Sequence, residues 1–453
     1  MTSENTKTRE TTFYHIFKIW WPLAASWLLM GVEGPALSAV MARLPDPEIN
    51  LAAYGGIVYP IALIIEAPVI MLLAASTGLS KGWGSYNRLR QYMIGSGAIL
   101  TLLHLLLAVT PAYYWLVDGI LDVPAEIVEP GRIGLLIMLP WTWSIAYRRF
   151  QQGVMIRYGY SRTVGTGTVV RLVSGGIVLA VGYALGTVQG IVVATCAQAF
   201  AVICEAIYAG IRVQPVLKAH IRPVQEEDVL SWKGFASYYI PLAMTSLLTL
   251  IWQPIGSAAI SRMPNAISSL AVWPVLSGLV FITRSACTAY NEVVVAVMDR
   301  PNSYRSLMRF TWFLALGTTG LYLLLAATPG ALIWFRDISA LPADLVPMAL
   351  LGFWIALPIP TLTALQSLFQ GAMINGKQTR GIPESVVLFL VVNVLVAVLG
   401  VLWNRVTGLY VGMAGFTIAG IVQTAWLWFR GRGLLGRRRY VENELNEEAA
   451  LAG

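Results

Sequence analysis

The chain has 453 residues, of which 57% are hydrophobic and 12% charged, and its mean hydropathy is +0.67. These values lie far from those of soluble domains and mark an integral membrane protein. The formal charge of +8 is read as a topological bias and not as affinity for nucleic acid. The chain has neither a Walker A sequence nor a soluble segment large enough for a nucleotide-binding domain, which argues against direct ATP-driven pumping.

Apolar stretches able to cross a hydrocarbon layer of about 30 Å, each needing about 20 residues, lie near 16–43, 51–79, 91–117, 132–156, 164–186 and 188–212. Six more lie near 233–260, 268–298, 309–335, 346–374, 383–404 and 406–430. The first stretch is too long for a signal-peptide core and is expected to be retained. The expected fold is an all-α polytopic membrane protein of twelve transmembrane helices. Residues 1–213 form an N-terminal six-helix bundle, 214–232 a cytoplasmic linker containing Glu226, Glu227 and Asp228, 233–430 a C-terminal six-helix bundle, and 431–453 a solvated, disordered tail.

Residues 22–54 recur at 241–273, shifted by 219 positions without a gap and identical at 12 of 33. Pro22/Pro241, Pro35/Pro254, Ser38/Ser257, Arg43/Arg262, Pro45/Pro264 and Leu51/Leu270 coincide. A second block, from Leu139 and from Leu357, repeats at an offset of 218 and shares Pro140/Pro358, Gln152/Gln370, Gly153/Gly371 and Arg162/Arg380. Six helices per repeat is an even number, so the halves are parallel and related by an axis along the membrane normal, as in many secondary transporters.

Lys and Arg in short connections mark the cytoplasmic side. With the N-terminus inside, 24 basic residues fall on that side, and Arg43, Arg132, Arg262, Arg336 and Arg405 are the 5 on the other. Both termini are therefore expected in the cytosol, with the chain in the plasma or inner membrane. Arg437 to Arg439 are read as a juxtamembrane stop signal.

Pro35 and Pro254 lack an N–H, which should free the carbonyls of Gly31 and Leu250 and bend helices one and seven. They are the candidate hinges. A charge at the centre of a bilayer helix costs about 2.5–3.5 kcal/mol on insertion scales, so such residues usually face a cavity or a partner. Glu33, Glu66 and Arg284 form a central group, with Glu66 and Arg284 at similar depth and within reach of one cavity. On helix eight Arg284, Thr288, Asn291 and Glu292 are spaced as one polar stripe, the expected lining of a vestibule. Gln253 is placed with them as a substrate- or ion-binding residue. Glu66 and Glu33 are the candidate proton carriers, because low dielectric favours the neutral carboxyl and a nearby Arg opposes that effect.

A second group, Arg148, Arg149, Arg171 and Glu205, is expected about 10 Å below the cytosolic surface by the helical rise. Three arginines against one carboxylate leave positive charge there, and guanidinium forks suit phosphate or carboxylate ligands. The repeat puts Gln366 and Ser367 at the positions of Arg148 and Arg149, so this cluster is one-sided. His104 reads as a packed histidine. Cys196, Cys204 and Cys287 show neither disulfide nor metal spacing. No cofactor and no enzyme activity are expected, and the chain is read as a monomer.

The repeated segment beginning at Pro22-Leu23-Ala24, the run Glu33-Gly34-Pro35-Ala36-Leu37, the run Leu51-Ala52-Ala53-Tyr54-Gly55 and the Phe-Gln-Gly at Gly371 resemble the MATE-like (MOP) transporter superfamily. Within it they are similar to the progressive ankylosis (ANKH-like) proteins, and Glu33 and the Leu51 to Gly55 run carry over to matching positions. The resemblance implies two six-helix bundles around a central cavity, alternating access, and export of a small organic or phosphate-containing anion; with no ATP-binding machinery in the sequence, an ion gradient of H+ or Na+, or simple equilibration, would supply the driving force. A flippase for a lipid-linked sugar or cell-wall precursor and a MATE-type multidrug or cation antiporter stay open as alternatives. A major-facilitator assignment is disfavoured, because Ser80 to Arg90 lacks the Asp-Arg-x-Gly-Arg pattern of that family.

Overall fold

The computed structural model describes residues 11–224, 231–300, 302–376, 378 and 380–451. Glu226, Glu227 and Asp228 of the expected linker, Lys7, Arg9, Lys377, and the side chains of Arg437 to Arg439 lie outside the described residues. Twelve long helical segments follow one another. They are α1 Phe13–Met41, α2 Pro47–Leu79, α3 Trp83–Val109, α4 128–157, α5 Ser161–Leu185, α6 Gly190–Ile221, α7 Trp232–Ser261, α8 Ala266–Val297, α9 Ser303–Ala327, α10 Val346–Asn375, α11 Gly381–Trp403 and α12 Gly408–Leu451.

Eleven of these are long and apolar enough to cross a membrane. The exception is α4, whose apolar pattern is interrupted by Glu129, Arg132, Arg148, Arg149 and Arg157. Its polar residues Arg148, Gln151 and Gln152 are buried, so α4 belongs to the interior of its bundle, where partners offset the cost of its charges. α12 continues to Leu451, which corrects the expectation of a disordered tail. Glu, Leu and Ala are good helix formers, and they dominate 442–451.

Proline chemistry sets four of the breaks. α1 is interrupted at Val32, between Phe13–Gly31 and Glu33–Met41, and α7 at Ile251, between Trp232–Leu250 and Trp252–Ser261. Each break falls where Pro35 or Pro254 withdraws a donor from the carbonyl four residues back, and the two are related by the same 219-residue shift. Likewise α4 breaks at Met138, just before Pro140, and α10 between Ile355 and Ile359, at Pro358.

The breaks allow the first helix of each half to straddle both halves. The first part of α1 lies against α8 and α9: the Trp20 indole N–H donates to the Ala286 carbonyl at 2.8 Å, and its ring stands edge-on to Phe310 at 5.5 Å. In the reverse sense, Phe235 and Tyr239 of α7 pack on Tyr92 of α3 at 4.5 and 4.9 Å, and the Tyr239 hydroxyl donates to the Pro68 carbonyl. Lipid tails are as apolar as leucine, so packing and hydrogen bonds hold helices together in a membrane more than hydrophobicity does. These aromatic anchors supply both.

At the face opposite the termini the two halves close on each other. A Cβ on Gly55 would lie 2.8 Å from the Leu270 carbonyl oxygen and 2.8 Å from Pro274, so only glycine permits this approach of α2 to α8. The Ser257 hydroxyl donates to the Gly56 carbonyl, and Ser268 to Glu48 at 2.7 Å. Two repeat-related arginines complete the closure. Arg43 donates to its own Ala39 carbonyl at 2.7 Å and across to the Asp337 carbonyl at 2.7 Å. Arg262 donates to Ala258 at 2.8 Å and across to Ile120 and Leu121 at 2.7 and 3.2 Å.

Each crossing arginine bond contributes about 1 kcal/mol, so removing both should shift a closed-to-open ratio at this face by about tenfold or more. In a cysteine-free background carrying Ser277→Cys, the Arg43→Ala, Arg262→Ala double variant is expected to be labelled faster by a membrane-impermeant thiol reagent added from that face. Unchanged labelling would mean the arginines do not latch it.

Candidate functional site

One carboxylate organises the interior of the N-terminal half. Glu205 of α6 is 1% exposed and accepts from Arg148 of α4 at 2.5 Å and from the Gln152 amide at 2.9 Å. Arg171 of α5 lies 3.7 Å from the same carboxylate and 2.9 Å from Glu33 of α1. Four helices are thereby tied through one chain of charge. Glu66 is 5% exposed, with its Oε2 buried and unpartnered. Arg149 of α4 likewise forms no ion pair among the described residues, and its Nε is buried without a partner.

This arrangement corrects the expected separation into a central and a shallow group. Arg148 and Arg171 are matched by Glu205 and Glu33, while Arg149 and Glu66 form no ion pair among the described residues. The cause is depth: Arg171 lies ten residues inside α5, about 15 Å along its axis, and Glu205 sixteen residues before the end of α6, about 24 Å. Both helices extend past the ends of their apolar stretches. An arginine in α5 therefore reaches the carboxylate at the break of α1.

Between the halves lies a cavity of about 310 Å³. Glu33, Tyr54, Tyr59 and Gln198 face it from the N-terminal half, and Gln253 and Arg284 from the other. The buried Tyr54 hydroxyl donates to Gln198 at 2.8 Å. The Arg284 guanidinium rests against the rings of Phe281 and Phe416 at 5.7 and 5.6 Å. Among the described residues no carboxylate pairs with it and no side chain accepts a hydrogen bond from it. Net positive charge in this cavity therefore comes from Arg284, since Glu33 is already matched by Arg171.

Glu66 and Arg284 do not meet in this cavity, contrary to expectation. The repeat aligns Arg284 with Ile65, and one residue is 100° of helix rotation, so Glu66 turns into its own bundle while Arg284 turns to the space between bundles. The polar stripe of α8 also divides, because the helix breaks at Ala289. Of its members Arg284 alone faces the cavity. The Thr288 hydroxyl donates to the Arg284 carbonyl at 3.4 Å, Asn291 donates to Gln370 of α10 at 3.4 Å, and Glu292 is exposed. Pro35 borders the cavity, and Pro254 follows the α7 break next to Gln253.

A second cavity of about 290 Å³ lies within the C-terminal half and shares Trp252, Gln253, Arg284, Ile359 and Phe416 with the first. The aromatic supports Phe281 and Phe416 were not legible as site residues, since an apolar ring on a membrane helix carries no signal of its own. Gln152 had one: a buried amide in an apolar helix, recurring as Gln370.

No protein-family model matches the chain, and no curated protein matches it. Solved structures do. A multidrug resistance MATE family transporter of the MOP superfamily, in an inward-facing conformation, matches with a TM-score of 0.68 at 14% identity, over 95% of this chain and 99% of its own. The Lipid II flippase MurJ, in an inward closed conformation, matches with a TM-score of 0.69 at 13% identity, over 95% and 92%. A MOP superfamily transporter from Pyrococcus furiosus Vc1 (DSM3638), described as having a binding pocket of reverse polarity, matches with 0.55 at 16% identity, over 96% and 100%. The chain has the MATE/MOP transporter fold. The narrower resemblance to progressive ankylosis proteins is not carried by these similarities.

Removing one partner of a buried ion pair strands the other, at a cost of about 3–5 kcal/mol. Glu205→Gln is expected to lower the melting temperature of the purified protein strongly. The double replacement Arg148→Gln, Glu205→Gln should lower it less than Glu205→Gln alone. A double variant at least as unstable as the single would show that pairing with Arg148 is not what Glu205 contributes.

Proposed function

We propose that the chain is a secondary transporter that moves a small organic or phosphate-containing anion across the membrane by alternating access between its two six-helix halves. The observation that carries this reading is Arg284, a guanidinium without a carboxylate partner on the wall of the cavity between the halves. A fixed cation in a site of low dielectric is costly until an anion joins it, and its planar fork suits carboxylate or phosphate. The anion reading of the sequence rested on the α4–α5 arginines. It rests here on Arg284, because Arg148 and Arg171 are paired with Glu205 and Glu33 and Arg149 does not face the cavity between the halves.

The remaining parts support transport. The breaks at Val32 and Ile251 are placed where the halves can rock, and the face opposite the termini is closed by Arg43 and Arg262. Export follows if the substrate enters from the terminal face and leaves when that closure opens. Glu33 faces the cavity and holds Arg171, so a proton reaching Glu33 from the cavity loosens its tie to Arg171. Glu66, buried in the same bundle, is the second coupling carboxylate. The resemblance to progressive ankylosis proteins is consistent with an anionic substrate.

The similarity to a Lipid II flippase favours one alternative, in which the anion is the phosphate of a lipid-linked substrate. A cation antiporter is disfavoured by an uncompensated guanidinium in the cavity.

Ligands that bind the native state raise its melting temperature. Among nucleotides, citrate, pyrophosphate and cationic dyes, only anions should stabilise the purified protein, and Arg284→Gln should weaken that binding tenfold or more. Stabilisation by cationic dyes alone overturns the anion reading, and stabilisation only by a lipid-linked phosphate selects the flippase.

Proton coupling has its own test in proteoliposomes under an imposed pH gradient. Glu33→Gln and Glu66→Gln are expected to abolish the dependence of transport on the gradient. Transport by both variants with the full dependence retained rules out proton coupling through these carboxylates.

A further inference from the structure

The C-terminal half contains the counterpart of the ionic network, emptied of charge. The repeat register of the last two helices is set by the backbone: α5 ends on Gly186 and α11 on Asn404, both in the left-handed conformation, and α6 and α12 begin at Gly190 and Gly408, an offset of 218 throughout. At that offset Arg148 corresponds to Gln366, Arg171 to Phe389 and Glu205 to Gln423. At 219, Glu33 corresponds to Trp252. All four replacements line the second cavity of about 290 Å³.

The exchange has a physical consequence. In the N-terminal half the long charged side chains converge on Glu205 and fill the bundle. In the C-terminal half Gln366 turns aside to the Thr424 hydroxyl and the Gly420 carbonyl at 3.0 and 3.2 Å, Gln423 donates to Ser385 at 3.5 Å, and space is left between them. Arg284, at the boundary with the central cavity, is the charged residue of this chamber.

The hydrogen-bonding balance of the chamber is directional. The Gln366 amide already donates to the protein, and the Thr363 and Thr249 hydroxyls donate to the Ile359 and Thr245 carbonyls at 2.8 and 2.9 Å. What these groups keep is acceptor capacity, and the Gln253 amide on the same wall adds a further acceptor together with the chamber's amide donor that is free among the described residues. Trp252, Phe389 and Phe416 offer ring faces. A ligand that fits therefore presents several O–H or N–H donors and a face able to lie on a ring, next to one anionic group at Arg284.

We propose that this chamber binds the uncharged, hydrogen-bond-donating part of the transported anion, so that the substrate class is a small polyol or amide-bearing anion and not a bare oxyanion. The inference rests on the anion reading of Arg284. It adds selectivity that Arg284 by itself lacks.

Three probes of the same charge type separate the two claims: inorganic phosphate, phenyl phosphate and glucose 6-phosphate, with affinity read from thermal stabilisation of the full-length protein. Glucose 6-phosphate should bind the native protein at least tenfold more tightly than phenyl phosphate. Each lost hydrogen bond is worth about three- to tenfold, so Gln366→Leu should reduce that ratio below threefold. Because Gln366 also ties α10 to α12, the near-isosteric Thr363→Val serves as a second variant and should reduce the ratio in the same direction. Equal affinity for the three anions, or a ratio unmoved in both variants, overturns the chamber while leaving the anion site standing. Failure of every anion to bind the native protein removes both readings.

Discussion

A charge cannot stand alone in the interior of a membrane protein, and the shared carboxylate of Glu205 is how this chain meets that requirement. Arg148 and Gln152 reach it from α4 and Arg171 from α5, and Arg171 passes the connection on to Glu33 at the break of α1. The long, poorly hydrophobic α4 is tolerated within the bundle because Arg148 ends on Glu205 and Arg157 on the Thr77 and Gly78 carbonyls. The same requirement makes Arg284 conspicuous, since its guanidinium has aromatic faces beside it and no counter-charge.

The two halves share a backbone plan and differ in what they enclose. Repeat-related arginines close one face with matching geometry, each holding a carbonyl of its own helix and one of the opposite half. Repeat-related prolines break α1 and α7 at corresponding residues. Inside, the symmetry is abandoned: one bundle is packed with paired charge and the other holds a chamber whose charged residue is Arg284. Such a division suits the proposed transport, in which symmetrical gates would open alternately while substrate and coupling ion occupy different places.

The straddling first helices link these two levels. Because the first part of α1 packs on α8 and α9 and that of α7 on α2 and α3, neither half can rotate without moving the break that carries Glu33 or the one that carries Gln253. A change of charge at Glu33 is thus felt at a joint between the halves.

Much of this was legible in one dimension. Twelve apolar stretches, the parallel duplication, and the carbonyls left free by Pro35 and Pro254 follow from composition, repeat spacing and the chemistry of proline, all of which act along the chain. The charged residues of the candidate site also stand out in the sequence, since charge in an apolar helix is visible wherever it occurs. Their pairing was not legible. Position along the chain places Arg171 in a shallow cluster and Glu33 in a central one, and they meet at 2.9 Å; it places Glu66 and Arg284 within reach of one cavity, and they turn to different spaces. Helix rotation decides such matters, at 100° per residue, together with how far each helix runs past its apolar stretch. Those quantities are set by packing between helices distant in sequence, and only the tertiary structure contains them.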